Sequence, residues 1–259
     1  MQLLEEGAAM FRMLKLQPPH GWRAVLWELA IVTLGVLIAL AAQQWAEARS
    51  WDAKLRQSRA AISDELVKHY NWSVEWRVIL PCLIAQTDRL RDRVERSGAV
   101  LDPAPLFSEA AVPRYTIRLP SKEYSDAAWQ AAITDGTAAR LPPGIRRELA
   151  DHYTQAANVR AQTQSNLEDQ MTLQMLGRPL RLDPVVRFNL IERLERLRGR
   201  VEFMDLQAGQ LIDHIQTVRM VPRSADSIRE VERFGTYQFC KAQALPTRSF
   251  ADAMKGVSN

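Results

Sequence analysis

The sequence is poor in the residues on which metal sites, disulfide scaffolds and turn-rich folds depend. It contains 2 cysteines and 4 histidines among 259 residues. Two cysteines cannot build a four-cysteine zinc site or the disulfide framework of a small secreted domain. Glycine and proline, at 11 and 13 residues, are too few for a sandwich or barrel with many tight turns. These scarcities favour a helical protein.

Motifs of common catalytic and cofactor-binding sites are also missing. The sequence has no phosphate-binding G-x4-G-K-[ST] loop, no G-x-G-x-x-G and no G-x-S-x-G. His20, His69, His152 and His214 lack the His-x3-His or His-Glu-x2-His spacing of zinc sites. We therefore expect packing or surface histidines, no metal, no cofactor and no enzymatic activity.

The charge balance argues against a nucleic-acid partner. The formal net charge of +4 is far below the concentrated basic charge of such proteins. Residues 178–200 are rich in arginine, but Glu192 and Glu195 interrupt them and aromatic residues are few. This pattern is typical of a solvated helix face with ion pairs, whereas single-strand binders use aromatic stacking platforms.

A long apolar stretch is present once, over residues 24–42. At about 1.5 Å per residue it would span roughly 28 Å as a helix, close to the hydrocarbon thickness of a bilayer. Trp22 and Trp27 at one end and Trp45 at the other fit the two interfacial regions, and Glu28 is its one charge. The stretch predicts a transmembrane helix and a lipid bilayer as partner.

A cleaved signal peptide is the alternative, and Ala39-Leu40-Ala41 has the form of a cleavage site. The apolar stretch starts only after residue 23 and is longer than a usual signal core, which favours an uncleaved anchor. Basic residues are nearly balanced on its two sides, so the positive-inside rule does not orient it. Because a short N-terminal tail commonly stays in the cytoplasm, we expect a single-pass protein of the bacterial inner membrane with a periplasmic body. Residues 1–23 would be a tail whose first part forms an interfacial helix or a frayed terminus.

Three residues of the apolar stretch are candidates for contact with another membrane helix. Glu28 would either be solvated at the interface or bind a polar partner there. Gly35 and Ala39 form a pair of small residues four positions apart, which lets two helices approach closely.

Beyond the anchor, the pattern predicts an all-α fold in which the transmembrane helix is followed by an antiparallel helical bundle over residues 43–235. The first helix should run to near Gly98, with a kink or break at Pro81. An irregular connection with a short extended piece at residues 115–119 should follow, then a short helix ending near Thr134. We expect residues 236–259 to be a loosely structured tail.

Two later helices have clearer signals. Pro142-Pro143 should open a helix to about Leu176, and Asp183-Pro184 should cap the next one. That second helix has an apolar seam on near coiled-coil spacing, which predicts a core face. The positions of this seam are Val186, Leu190, Leu194, Leu197, Val201, Met204, Ala208, Leu211, Ile215 and Val218. After that helix, a fifth and shorter helix should begin at about Ser224.

Two short patterns lie in the anchor and in the body. The first consists of Trp27-Glu28, Gly35-Val36-Leu37-Ile38-Ala39-Leu40, Gln43, Trp45 and Glu47. The second consists of Asp126-Ala127-Ala128-Trp129-Gln130 with Gly136, followed by Tyr153. Together, over about residues 22–160, they resemble an uncharacterised family of bacterial single-span membrane proteins. The resemblance implies an N-terminal anchor and a helical domain, and it implies no activity or catalytic residue.

The two cysteines leave two alternatives open. In a periplasmic body, Cys82 and Cys240 would form a disulfide that ties the C-terminal region to the first long helix. In a cytoplasmic body they would be free thiols.

These observations predict a membrane-anchored helical interaction or scaffold protein of the bacterial envelope. Its partner would be another envelope protein or a second copy of itself. The apolar seam of residues 55–94, which polar residues interrupt, is the candidate contact surface, with Trp76 and Leu83 as its test positions. The alternative is a sensor-like domain with a small-molecule pocket near Tyr124, Trp129 and Tyr153. A hydrolase or transferase is the least supported, because no nucleophile, base or metal set is clustered.

Overall fold

The computed structural model describes residues 21–109, 112–221 and 225–256. The structure is 77% helical with 3% strand, which confirms the all-α prediction. The interfacial helix predicted near the N-terminus lies outside the described residues. The chain divides into two compact units, Met1–Lys54 and Leu55–Asn259.

In the first unit the described residues after Gly21 belong to a single helix, α1, which begins at Trp22 and continues into the second unit. Side chains from Val25 to Ser50 are exposed, and none of the apolar window of this helix is buried. Among the described residues, α1 is the one helix long and apolar enough to cross a membrane. An exposed apolar surface of this length is unlike the core helix of a soluble protein, which buries its apolar face.

In the second unit α1 runs to Arg96, close to the predicted end at Gly98. Of the kink or break expected at Pro81, the break does not occur, since Pro81 lies inside the helix. Leu80, Cys82 and Leu83 are all buried around it. Their packing outweighs the cost of about 3 kcal/mol that a proline imposes on a helix interior.

The elements after α1 alternate short pieces with two long helices. The connection contains two antiparallel strands, and Phe107 of the first lies opposite Tyr115 of the second. The extended piece predicted at residues 115–119 is therefore displaced towards the N-terminus. The elements are β1 (Phe107–Glu109), β2 (Val112–Tyr115), α2 (Ala127–Thr134), α3 (Pro143–Leu173), α4 (Pro184–Val218), α5 (Ala225–Glu232), α6 (Gly235–Ala242) and α7 (Phe250–Ala253).

The body is built around α1, α3 and α4. Ion pairs join Arg77 to Asp205 at 3.6 Å and Arg91 to Glu195 at 2.9 Å. Residue numbers rise along α1 as they fall along α4, so these two helices are antiparallel. Helices α3 and α4 pack against each other as well. This arrangement is the predicted helical bundle.

Helix α4 forms as its sequence predicts. The Asp183 side chain accepts hydrogen bonds from the backbone N–H groups of Val185 (2.9 Å) and Val186 (2.8 Å), and Pro184 takes the first helical position. Nine of the ten predicted seam residues are buried and Val186 is half-buried, so the seam is a core face.

The C-terminal region differs from the prediction of a loosely structured tail. Residues 236–259 include most of α6 and all of α7. Ala244, with φ of 50°, ends α6, and the N–H of Leu245 donates to the Cys240 carbonyl at 2.9 Å. These are the features of a Schellman cap, here without the usual glycine. Phe239, Cys240 and Leu245 are buried, and this long-range packing holds helices too short to be recognised from periodicity.

Candidate functional site

The predicted contact residues of the candidate membrane helix are exposed in the first unit. Glu28, Gly35 and Ala39 all face outward from α1. A Cβ added at Gly35 would meet no atom within 4 Å. Gly35 and Ala39 lie one turn apart on the same face. Their role in contacting a second helix therefore stays a prediction.

A disulfide joins Cys82 of α1 to Cys240 of α6, with the two Cα atoms 6.0 Å apart. Both residues are fully buried. The fold thus brings together two cysteines that are 158 residues apart in sequence. The bridge fixes the C-terminal helices against the last quarter of α1.

A cleft of about 480 Å³ lies beside this bridge, within the second unit. Phe239, Gln243 and Leu245 contribute to it from the C-terminal region. One wall comes from α1 and another from the connection between α1 and α2. The complete lining is Gln86, Arg89, Leu90, Asp92, Arg93, Arg96, Ser97, Asp102, Ala104, Pro105, Phe107, Thr116, Phe239, Gln243 and Leu245.

The cleft combines an apolar floor with a basic edge. Arg89, Arg93 and Arg96 follow one another along α1 at steps of four and three residues, which places them on one face of the helix. This spacing is the sequence signal for the basic edge, and it differs from the register of the apolar seam, which includes Leu90 and Val94. Among the residues that the structure describes, the lining contains no histidine or cysteine, and its titratable side chains are arginines and aspartates.

The apolar seam of residues 55–94 is not an exposed contact surface, so this prediction was wrong. Trp76 and Leu83, its proposed test positions, are buried inside the body. Of the polar residues that interrupt the seam, His69, Ser73 and Thr87 are buried too, whereas Arg59 is exposed. Ser73 and Tyr124 share a hydrogen bond at 3.3 Å between their hydroxyl oxygens, and the Thr87 hydroxyl donates to the Leu83 carbonyl at 2.9 Å. Internal partners satisfy these polar groups and allow the seam to be core.

Two of the four histidines form a buried pair. His69 Nδ1 and His152 Nε2 lie 3.0 Å apart, on α1 and α3. Burial lowers the pKa of His69 from 6.5 to about 4 and lowers the pKa of His152 well below its usual value. Both rings are therefore neutral at pH 7, and one donates its N–H to the other. The pair links α1 to α3 through the core.

The three aromatic residues predicted to surround a pocket are brought together around this pair. The rings of Trp129 and Tyr153 stack with centroids 5.6 Å apart, and the Tyr124 ring lies 5.0 Å from that of His69. All three aromatic side chains are buried and packed against their neighbours. They fill the core of the bundle, whereas the cleft beside the disulfide is open.

The arginine-rich stretch behaves as the solvated face that its sequence predicts. Arg193 pairs with Asp169 at 3.6 Å, and Arg196 pairs with Glu192. Arg187 donates to the Glu95 carbonyl (3.2 Å) in the last turn of α1 and to the carbonyls of Ser97 (2.8 Å) and Gly98 (2.7 Å) just after the helix. A cation at this position satisfies carbonyls that a helix end leaves unpaired.

No protein-family model, curated protein or solved structure matches this chain. The function is therefore inferred from the exposed apolar part of α1, the disulfide and the cleft.

Proposed function

We propose that this chain is a single-span protein of the bacterial inner membrane whose helical body lies in the periplasm. Support comes from the exposed apolar surface of α1, which water would solvate poorly and a bilayer would cover. The disulfide adds independent support, because structural disulfides persist in oxidising compartments such as the periplasm.

The body of this protein binds a small molecule in the cleft beside the disulfide, as a sensor-like domain tethered to the membrane. The observation that carries this function is the cleft itself, an open space with an apolar floor and charged edge. Such concave sites are where proteins bind small ligands. The scaffold function is less well supported because its proposed contact surface is buried.

A thermal-shift experiment tests ligand binding. The full chain in phosphatidylcholine nanodiscs is heated with and without a low-molecular-mass extract of bacterial cells. We expect the extract to raise Tm by several degrees, because a ligand that binds only the native state stabilises it. Gln243→Trp, which places an indole at the half-exposed edge of the cleft, should abolish the shift.

Gln130→Trp is the matched control, since Gln130 is an exposed residue of α2 outside the cleft. It should retain the shift of the wild-type chain. If no extract fraction stabilises the wild-type chain, or if Gln243→Trp responds as the wild type does, the cleft is not a ligand site.

A further inference from the structure

We propose that the ligand of the cleft is a monoanionic amphiphile, with its carboxylate or phosphodiester bound by Arg89 and its apolar chain lying on the cleft floor. This inference rests on the proposed ligand-binding function and adds the chemical class of the ligand. It comes from the charges, the free hydrogen-bonding groups and the apolar residues of the lining.

The charged groups of the lining are three arginines and two aspartates. Arg93 Nη1 pairs with Asp102 Oδ2 at 2.5 Å, and Arg96 Nη2 pairs with Asp92 Oδ2 at 2.6 Å. Arg89 has no hydrogen bond or ion pair with any residue that the structure describes. One positive charge therefore remains uncompensated at the cleft edge, and one negative charge on a ligand would balance it.

The other polar side chains of the inner wall already have partners. The Gln86 amide oxygen accepts from the Arg118 N–H at 2.7 Å, and its nitrogen donates to the Arg118 carbonyl at 3.4 Å. The Thr116 hydroxyl donates to the Leu173 carbonyl at 2.8 Å. Gln86 and Thr116 are therefore engaged, as are the guanidinium groups of Arg93 and Arg96. Arg89 is the guanidinium left to bind an anion. Its planar fork suits two parallel hydrogen bonds to a carboxylate or phosphate.

The remainder of the lining suits an apolar chain. Leu90, Ala104 and Leu245 are buried side chains beneath the cleft. The rings of Phe107 and Phe239 meet edge to face, with centroids 5.0 Å apart, and bring aromatic surface to the lining. At about 480 Å³ the space falls within the range of roughly 300–1,000 Å³ that small-molecule sites occupy. A small hydrophilic anion would leave this apolar surface uncovered.

The test compares probes that differ in one property each. The full chain in phosphatidylcholine nanodiscs is titrated with octanoate, octanol and acetate, and binding is followed by the shift in Tm. We expect octanoate to stabilise the chain, octanol to do so much less, and acetate not at all. Arg89→Gln should weaken octanoate binding by about tenfold or more, the size expected for a charge-assisted hydrogen bond.

Arg147→Gln is the control, because Arg147 is an exposed arginine of α3 outside the cleft. It should leave octanoate binding unchanged. Dihexanoyl phosphatidylglycerol forms a second arm, since the same chemistry could come from a fatty acid or an anionic lipid. Stronger binding of this lipid than of octanoate assigns the ligand to the lipids, and stronger binding of octanoate assigns it to free carboxylates.

Two results would overturn the monoanion assignment. One is equal binding of octanol and octanoate. The other is an Arg89→Gln variant that binds octanoate and dihexanoyl phosphatidylglycerol as the wild type does. In that case a stabilising cell extract that loses its effect in Gln243→Trp would still support a ligand site of another chemistry. If the cell extract and all probes leave Tm unchanged, both the ligand class and the proposed function fail.

Discussion

Reduction of the Cys82–Cys240 disulfide is expected to lower the free energy of unfolding of the body by about 2–5 kcal/mol. The bridge closes a chain segment of 158 residues, and its loss returns a large conformational entropy to the unfolded chain. Its position also matters, because it holds α6 and the buried Phe239 and Leu245 against α1. Loss of the bridge should therefore weaken the wall of the cleft as well.

The measurement is thermal unfolding of the full chain in nanodiscs, with and without dithiothreitol. For a body of this size, each kcal/mol corresponds to about 2–4 °C in Tm, so a decrease of roughly 4–20 °C is expected. A variant with both cysteines replaced by alanine should unfold at the lower temperature and should not respond to dithiothreitol. A wild-type Tm that reductant leaves unchanged would show that the bridge does not contribute to stability.

Replacing Glu75 with glutamine is expected to stabilise the protein at pH 8 by on the order of 3 kcal/mol and to have little effect at pH 4. Glu75 is 1% exposed, and this burial raises its pKa from 4.5 to about 7 despite the opposing charges of Lys122 and Arg118. Between pH 4.5 and 7 the native protein therefore binds more protons at this site than the unfolded chain does. The contribution of Glu75 to stability decreases as pH rises through this range, and glutamine removes that dependence.

The histidine pair has the opposite effect on the pH dependence of stability. The pKa of His69 is lowered to about 4, so between pH 4 and 6.5 the unfolded chain binds more protons and stability rises with pH. The difference between wild type and Glu75→Gln at each pH isolates the glutamate, because both proteins contain the histidines. Urea unfolding at pH 4, 6 and 8 would provide this comparison. An equal difference at all three values would contradict a raised pKa for Glu75.

The parts of the fold that the sequence predicts well are those with strong local signals. Helix α4 has a proline at its first position, an aspartate cap and an uninterrupted apolar seam, and it forms within these limits. The apolar start of α1 is equally clear. Each of these signals depends on residues within a few turns of one another.

The parts that escaped prediction depend on distant partners. His69 made the seam of α1 look discontinuous, yet it is buried because His152, on another helix, completes its hydrogen bond. Helix α6 is short, and its buried residues and disulfide connect it to α1 across most of the chain. The cleft needs three separated segments, so single arginines such as Arg89 could be located on a helix face but not assigned to a site.

The most direct test of a membrane-tethered periplasmic body is protease accessibility of a C-terminal epitope tag in intact spheroplasts, with a cytoplasmic protein as the control. We predict that external protease removes the tag while the cytoplasmic control stays intact, because the span of α1 would place the body outside the cell membrane. A tag that stays protected until the spheroplasts are lysed would place the body in the cytoplasm and contradict the proposed topology.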